Sequence, residues 1–160
     1  MKLSAEYLAG KYQDNIFRAA FSVCRNREDA EDVTQDTFLQ YMHTKREFES
    51  EEHIKAWLLH TAINKSKNLI TAFWHRNRTS LEDYLAQVPF AGPQDRDLVE
   101  AVLRLPESVR IVVHLYYYED YSVAEIGELL HLSQSAVKNR LLRGRKILKA
   151  SLKDEWPDDD

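Results

Sequence analysis

The sequence predicts an all-α fold made of two small helical domains joined by a flexible linker. Apolar residues recur three and four positions apart along most of the 160 residues, which is the spacing of one helix face. Glycine and proline number only four each, and no long alternation of apolar and polar residues marks a strand. Residues 79–96 lack the helical spacing and contain two prolines and a glycine. We therefore expect one domain at 1–78, a linker at 79–96, a second domain at 97–155 and an acidic tail at 156–160.

Three helices are predicted in the first domain. The first carries the apolar row Leu8, Tyr12, Ile16, Ala19 and Val23. The second follows Asn26, a favourable N-cap, and carries Ala30, Val33, Thr37, Phe38 and Tyr41. The third is opened by Ser50 and carries Ile54, Trp57, Leu58, Thr61 and Ala62. A polar connection, residues 43–52, separates the last two helices and holds one aromatic residue, Phe48.

The second domain ends in a predicted helix-turn-helix. Periodicity resumes at Leu98, Val102 and Leu105, and Pro106 is expected in the first turn of a helix that runs to about Tyr118. Residues 122–125, Ser-Val-Ala-Glu, form a capping box that opens the next helix, and Ser133 caps the last one. Two short helices joined by a tight turn, the second of them basic, are typical of a helix-turn-helix.

Charge is segregated along the chain, although the formal net charge is only -4. Residues 53–78 and 133–153 hold basic residues and none of the 26 acidic ones. Such segregation indicates two anion-binding faces on an otherwise acidic body.

The last helix is predicted to lie in a DNA major groove. A helical projection places Val137, Leu141, Gly144 and Leu148 on one face and Ser135, Asn139, Leu142, Arg143 and Lys146 on the other. Arginine suits guanine edges, asparagine suits adenine, and the surrounding basic residues suit phosphate. The candidate DNA contacts are Ser135, Lys138, Asn139, Arg140, Arg143 and Lys146. A solvated basic helix without a ligand is the alternative, but such helices usually interleave acids for salt bridges.

Several other classes of protein are disfavoured. The N-terminus has no apolar signal core and no run approaches a membrane span, so we expect the protein to stay in the cytosol. The single cysteine, Cys24, fits a buried thiol in a reducing compartment. The six histidines form no metal motif, and neither a phosphate loop nor a nucleophile motif is present. We therefore expect a protein that is not an enzyme and has no cofactor, no metal and no small-molecule substrate.

At this point the chain resembles a known family. "LPESVRIVVHLYYYEDYSVAEIGELLHLSQSAVKNRLLRGRKIL", residues 105–148, is similar without a gap to the fourth conserved region of the extracytoplasmic-function sigma factors, the promoter-specificity subunits of bacterial RNA polymerase. "NREDAEDVTQDTFLQYM" resembles the polymerase-binding segment of their second region, and "HIKAWLLHTAINKSKN" resembles their promoter-melting segment. The resemblance implies a bacterial transcription initiation factor that binds core polymerase and promoter DNA. An ordinary two-domain activator is a rival, but it leaves the N-terminal half unexplained.

The resemblance also implies partners and site residues. The family binds the β′ clamp helices of the polymerase through one face of the second helix, which here carries Glu28, Glu31, Asp32, Gln35, Asp36 and Leu39. As a pattern alone, that acidic stripe is equally a solvated face. The β flap and an anti-sigma factor are the other implied protein partners, and the final helix is expected to read the minus-thirty-five element.

Minus-ten recognition falls, by the same resemblance, on the loop 45–52 and the helix beyond it. The implied contacts are Lys45, Arg46, Phe48, Asn64, Lys67 and Asn68. Phe48 is expected either to offer a face to an unstacked base or to belong to the core. Two departures from the family are visible: four glutamates make this loop acidic, and His131 stands at a turn position where relatives commonly have glycine.

Overall fold

The computed structural model describes residues 1–73 and 93–152, with side chains at 1–69 and 97–152. The chain divides into two compact units, Met1–Arg78 and Thr79–Asp160. All regular secondary structure in the described residues is helical, which confirms the predicted all-α class. None of the helices in residues 1–73 and 93–152 is both long enough and apolar enough to cross a membrane.

In residues 1–73, the first unit forms a bundle of three helices, α1 (Ala5–Cys24), α2 (Arg27–His43) and α3 (Glu51–Phe73), each packed on the other two. Its helix starts are capped by side chains. Ser4 accepts a hydrogen bond from the Tyr7 amide at 3.1 Å, and Asn26 accepts one from the Asp29 amide at 2.9 Å. Each such cap satisfies an amide that the helix itself leaves without a partner, which is worth about 1 kcal/mol. The prediction of Asn26 as a cap is confirmed.

The predicted apolar rows form the core of this unit. Every member of the first two rows is buried, and so are Ile54, Leu58, Thr61 and Ala62 of the third. Trp57 is the exception, because its side chain is only half-buried. Cys24 is 1% exposed, which confirms the buried thiol. Full burial of one such large apolar side chain contributes about 1.5–3 kcal/mol, so these rows hold the three helices together.

The second unit contains α4 (Pro93–Leu103), α5 (Glu107–Tyr117), α6 (Val123–Leu130) and α7 (Gln134–Ser151). Three details differ from expectation. Pro106 is the N-cap of α5 rather than part of its first turn, because its ψ of 145 is extended. Leu98 is 37% exposed, whereas Val102 and Leu105 are buried. Helix α4 begins inside the expected linker, whose residues 79–92 lie outside the described part.

Helices α6 and α7 form the predicted helix-turn-helix. The capping box is present: the Ser122 amide donates to Glu125 at 2.8 Å, and the Glu125 amide donates to Ser122 Oγ at 3.1 Å. His131 ends α6 in the left-handed region with a φ of 58, a conformation that costs a non-glycine residue about 1–2 kcal/mol. Ser133 accepts from the Ala136 amide at 3.1 Å and starts α7. The Ser133 cap fixes where α7 begins.

Candidate nucleic-acid and protein interfaces

The exposed face of α7 carries the basic side chains that the sequence assigned to DNA. Ser135, Lys138, Asn139, Arg143 and Lys146 are exposed, and Arg140 is half-buried. The opposite face, made of Val137, Leu141, Gly144 and Leu148, is buried, as the projection predicted. Within the described residues, Lys138, Arg143 and Lys146 form no ion pair, so their charge is available to an anionic partner.

Close packing against α5 fixes the orientation of α7. A Cβ added to Gly144 would lie 2.8 Å from Val113 Cγ2 and 3.1 Å from Val109 Cγ1, closer than carbon atoms normally approach. The next residue, Arg145, donates from Nε to the Tyr117 hydroxyl at 2.7 Å. Helix α7 therefore packs on α5 through a close contact at Gly144 and is held there by the adjacent Arg145.

The acidic face of α2 is exposed along its whole length. Its members are Glu28, Glu31, Asp32, Gln35, Asp36 and Leu39, and all of them lie opposite the buried row of the same helix. Glu31 forms an ion pair with Arg27 at 3.0 Å, while Asp32 and Asp36 form none within the described residues. This geometry leaves a row of carboxylates facing outward on a rigid helix.

Beside the acidic face, an open groove of about 690 Å³ runs between α1 and α2. It is lined by Ala9, Gln13, Asp14 and Phe17 of α1 and by Arg27, Glu31, Thr34, Gln35, Phe38, Leu39 and Met42 of α2. Leu39 is 50% exposed and Met42 is 55% exposed. Sequence reasoning found Leu39 but missed Met42 and the α1 wall. An apolar pair three positions apart and off the core row, Leu39 with Met42, is the signal that could have found this groove.

In the loop between α2 and α3, the structure corrects one expectation. Phe48 is 3% exposed and packs in an aromatic cluster with Tyr41, His53 and Trp57, at centroid distances of 5.8, 5.2 and 5.8 Å. A ring enclosed in this way has no free face for a nucleotide base, so of the two expectations the core role holds and the stacking role is wrong for this conformation. Lys45 and Arg46 remain exposed on the loop.

Glu51, one of the four glutamates counted in that loop, is held by α1. Its carboxylate accepts from Tyr12 at 2.5 Å, from Lys11 at 2.7 Å and from Tyr7 at 3.1 Å. The hydrogen bond from Lys11, followed by the one from Tyr12, lowers the pKa of Glu51 below its usual value. Burial, with the hydrogen bond to Glu51, raises the pKa of Tyr12 to about 12. Glu51 therefore anchors the end of the loop and does not face outward like its three neighbours.

Further along α3, Asn64 and Asn68 are exposed and Lys67 is half-buried. Positions three and four apart lie on one helix face, so the structure brings these three side chains together. The Asn64 amide nitrogen lies 3.0 Å from His60 Nε2, which orients the amide. No cluster of metal-ligating side chains occurs among the residues that the structure describes.

The two units match two parts of one protein family. Residues 8–76 match the family model of Sigma-70 region 2, and residues 95–148 match that of Sigma-70, region 4. The helix-turn-helix lies within the second match except for the last three residues of α7, and the acidic face and aromatic cluster lie within the first.

Relatives agree with that assignment. The chain is 26% identical over 167 residues to the ECF RNA polymerase sigma factor SigW of Bacillus subtilis, covering 89% of this chain and 86% of the relative. It is 24% identical to the RNA polymerase sigma factor SigV of the same organism, covering 90% and 88%. The chain belongs to the sigma-70 family of RNA polymerase sigma factors, among its extracytoplasmic-function members.

Solved structures show the same fold. The sigma factor RpoE of Bartonella quintana, solved with the anti-sigma factor NepR, aligns with a TM-score of 0.77 at 20% identity over 94% of this chain and 98% of that one. CnrH, solved with the cytosolic domain of CnrY, aligns with a TM-score of 0.69 at 27% identity over 95% and 89%. As a family member, this chain is a transcription initiation factor that directs RNA polymerase to promoters.

Proposed function

We propose that the chain performs promoter selection through three separate surfaces: α7 reads the minus-thirty-five element, α3 with its preceding loop holds the opened minus-ten strand, and the acidic face of α2 binds core polymerase. The observation that carries the proposal is the contrast between the two faces of α7. Its buried face is apolar, and its exposed face presents arginine, asparagine and lysine with no acid. Base edges and phosphates are the ligands that such a helix fits.

Within α7, residues differ in their proposed roles. Asn139 and Arg143 lie one turn apart on the exposed face, so both enter the groove together and contact base edges. Lys138, Arg140 and Lys146 flank them and contact phosphate. Ser135 lies in the first turn of α7, where a short hydroxyl can hydrogen-bond to a base or a phosphate.

For the minus-ten element, the proposal rests on Lys45 and Arg46 of the loop and on Asn64, Lys67 and Asn68 of α3. The exposed amides offer donors and acceptors to an extruded base, and the basic side chains meet the strand phosphates. Phe48 lies in the core next to this surface and stabilises the loop through its ring contacts with Tyr41 and Trp57.

Core polymerase is proposed to bind the α2 face, with the β′ clamp helices as the counterpart and the β flap engaging the second unit. The carboxylates on this face attract core polymerase electrostatically during the encounter, and the exposed Leu39 and Met42 of the adjoining groove provide apolar contact. An anti-sigma factor is the proposed regulator, because the structural relative RpoE of Bartonella quintana was solved with the anti-sigma factor NepR. We further propose that the chain acts in the cytoplasm and by binding alone, without catalysis.

A charge-reversal experiment tests the core-binding surface. The double change Asp32→Lys and Asp36→Lys should weaken association with core polymerase at least tenfold, because both carboxylates face outward and the helix itself is retained. The matched control is Glu6→Lys with Glu52→Lys, which makes the same charge change on exposed positions of the same unit. Circular dichroism checks folding, and equal affinity of both variants for core would overturn the assignment.

The rival function, an ordinary DNA-binding activator, is separated by duplex binding without polymerase. A sigma factor's free chain should bind duplex only in the nonspecific range, about 10⁻⁴–10⁻⁶ M. A tight, sequence-specific complex of the free chain would favour the activator instead.

A further inference from the structure

The α7 segment contains a basic side chain that faces α5. Arg145 is half-buried, whereas Arg143, two positions before it, and Lys146, the next residue, are exposed. Its Nε donates to the Tyr117 hydroxyl at 2.7 Å. Its guanidinium carbon lies 5.9 Å from the centroid of the Tyr116 ring and 5.8 Å from that of Tyr117.

The two tyrosines together form the site that holds that guanidinium. Their rings meet edge to face with centroids 4.9 Å apart at the C-terminal end of α5. A guanidinium over aromatic faces gains a cation–π attraction, and the hydrogen bond to the hydroxyl fixes its direction.

The contact of Arg145 with Tyr116 and Tyr117, called the clamp below, adjoins a second contact between α7 and α5. Gly144 lets α7 approach Val109 and Val113 of α5 so closely that no Cβ fits between them. Val137, Leu141 and Leu148 are buried on the same face of α7, and Arg145 ties the helix to the end of α5 one residue beyond the glycine. The rotation of α7 determines where Asn139 and Arg143 point.

From this geometry we infer that Arg145 is a positioning residue for promoter reading: its guanidinium holds α7 on Tyr116 and Tyr117, and does not bind a DNA phosphate. The inference rests on the proposed reading of the minus-thirty-five element by α7. By sequence alone Arg145 belongs with the other basic residues of the segment, so its role follows from the contact with α5.

Salt dependence separates the two roles of a basic residue. Loss of one phosphate contact reduces the slope of log K against log salt concentration by about 0.9, whereas loss of a positioning contact leaves that slope unchanged. The assay is binding of holoenzyme to a duplex promoter, and to the same promoter with a scrambled minus-thirty-five element, at a series of salt concentrations. Arg145→Ala should lower affinity for the intact promoter about tenfold, leave affinity for the scrambled one unchanged and keep the wild-type slope. Lys146→Ala, the adjacent control, should lower both affinities and the slope.

A double-mutant cycle tests the clamp itself. Tyr117→Phe keeps the ring and removes only the hydroxyl, so it should fold normally and lower the intact promoter's affinity about threefold, the effect of one hydrogen bond. In the Arg145→Ala background the same change should have no further effect. Additive effects, or a Tyr117→Phe variant that binds like wild type, would overturn the clamp.

A second double-mutant cycle, between Arg143 and Arg145, tests whether the clamp orients the base-reading side chain. A role in folding alone would leave the affinity cost of Arg143→Ala the same in both backgrounds. If the clamp aims Arg143, then Arg143→Ala should cost several-fold less affinity in the Arg145→Ala background than in the wild type. If Arg145→Ala instead reduced the slope of log K against log salt concentration, Arg145 would be a phosphate ligand. That result would refute the inference and leave the proposed promoter reading by α7 intact. A wild-type holoenzyme without any preference for the intact element would overturn the proposed reading, and the inference with it.

Discussion

Replacing Gly144 by alanine should destabilise the second unit, although alanine is the better helix former. The new Cβ would lie 2.8 Å from Val113 Cγ2 and 3.1 Å from Val109 Cγ1, where carbon atoms prefer about 3.5–4.0 Å. Both neighbours are β-branched and stiff at χ1, so the helices must move apart. Overpacking of this kind costs about 1–3 kcal/mol, and the gain in helix propensity returns about 0.8–1.0 kcal/mol. The expected net loss is about 1 kcal/mol.

Gly10 supplies the matched control. It is exposed within α1, and a Cβ there would meet nothing within 4 Å. Gly10→Ala should therefore raise the free energy of unfolding of the first unit by about 0.5–1 kcal/mol. Opposite signs for the same chemical change would show that the α5–α7 contact, and not propensity, decides the outcome at Gly144.

Native-state hydrogen exchange on the full chain measures both effects, because peptides from each unit report its own opening free energy. Because Val113→Ala removes the methyl group that the new Cβ meets, Gly144→Ala should cost less stability in the Val113→Ala background than in the wild type. The reasoning would be refuted if Gly144→Ala stabilised the second unit as Gly10→Ala stabilises the first, or if it cost as much in the Val113→Ala background as in the wild type.

Three further predictions follow from single residues. Phe48→Ala should lower the free energy of unfolding of the first unit, measured in urea, by about 3–5 kcal/mol. Phe48→Leu should keep most of the promoter-opening activity. If a folded Phe48→Leu variant lost that activity, the stacking role would be restored. His131→Gly should stabilise the second unit by about 1 kcal/mol by relieving the left-handed backbone, and a destabilised variant would contradict that strain. The folded pKa of Glu51 is lowered, so its contribution to stability is present above the usual value of 4.5 and is lost as pH falls through the folded value. Acid unfolding of the first unit should accordingly depend less steeply on pH in Glu51→Gln, and an unchanged profile would show that its hydrogen bonds carry no net stability.

Much of the fold was accessible from the sequence, because it is local. Apolar spacing of three and four identified the buried rows of α1 and α2, and side-chain acceptors at Asn26, Ser122 and Ser133 located three helix starts. The two faces of α7 followed from the same periodicity. The start of α5 at Pro106 could not be predicted to the residue, because a proline fits both the N-cap and the first turn of a helix.

What the sequence left out depends on contacts between distant residues. Phe48 is buried because Tyr41 of α2 and Trp57 of α3 close over it, and nothing in the loop itself shows that. The carboxylate of Glu51 forms an ion pair with Lys11, which lies 40 positions earlier in the chain. The ring contacts of Arg145 likewise require α5 and α7 to be packed. The groove needs α1 and α2 side by side, which explains why only its α2 edge was predicted.

The central claim, that the exposed face of α7 selects promoters for the polymerase, is tested most directly by in vitro transcription with core enzyme and a library randomised at the minus-thirty-five element. Wild-type holoenzyme should enrich one shared sequence over core alone. Holoenzyme carrying Arg143→Ala should lose preference at one or two base pairs of that sequence, at a cost of about 1–3 kcal/mol, and keep it elsewhere. If Arg143→Ala selects the same sequence as the wild type, or if the wild type enriches none, then α7 is not the reader and the account is contradicted.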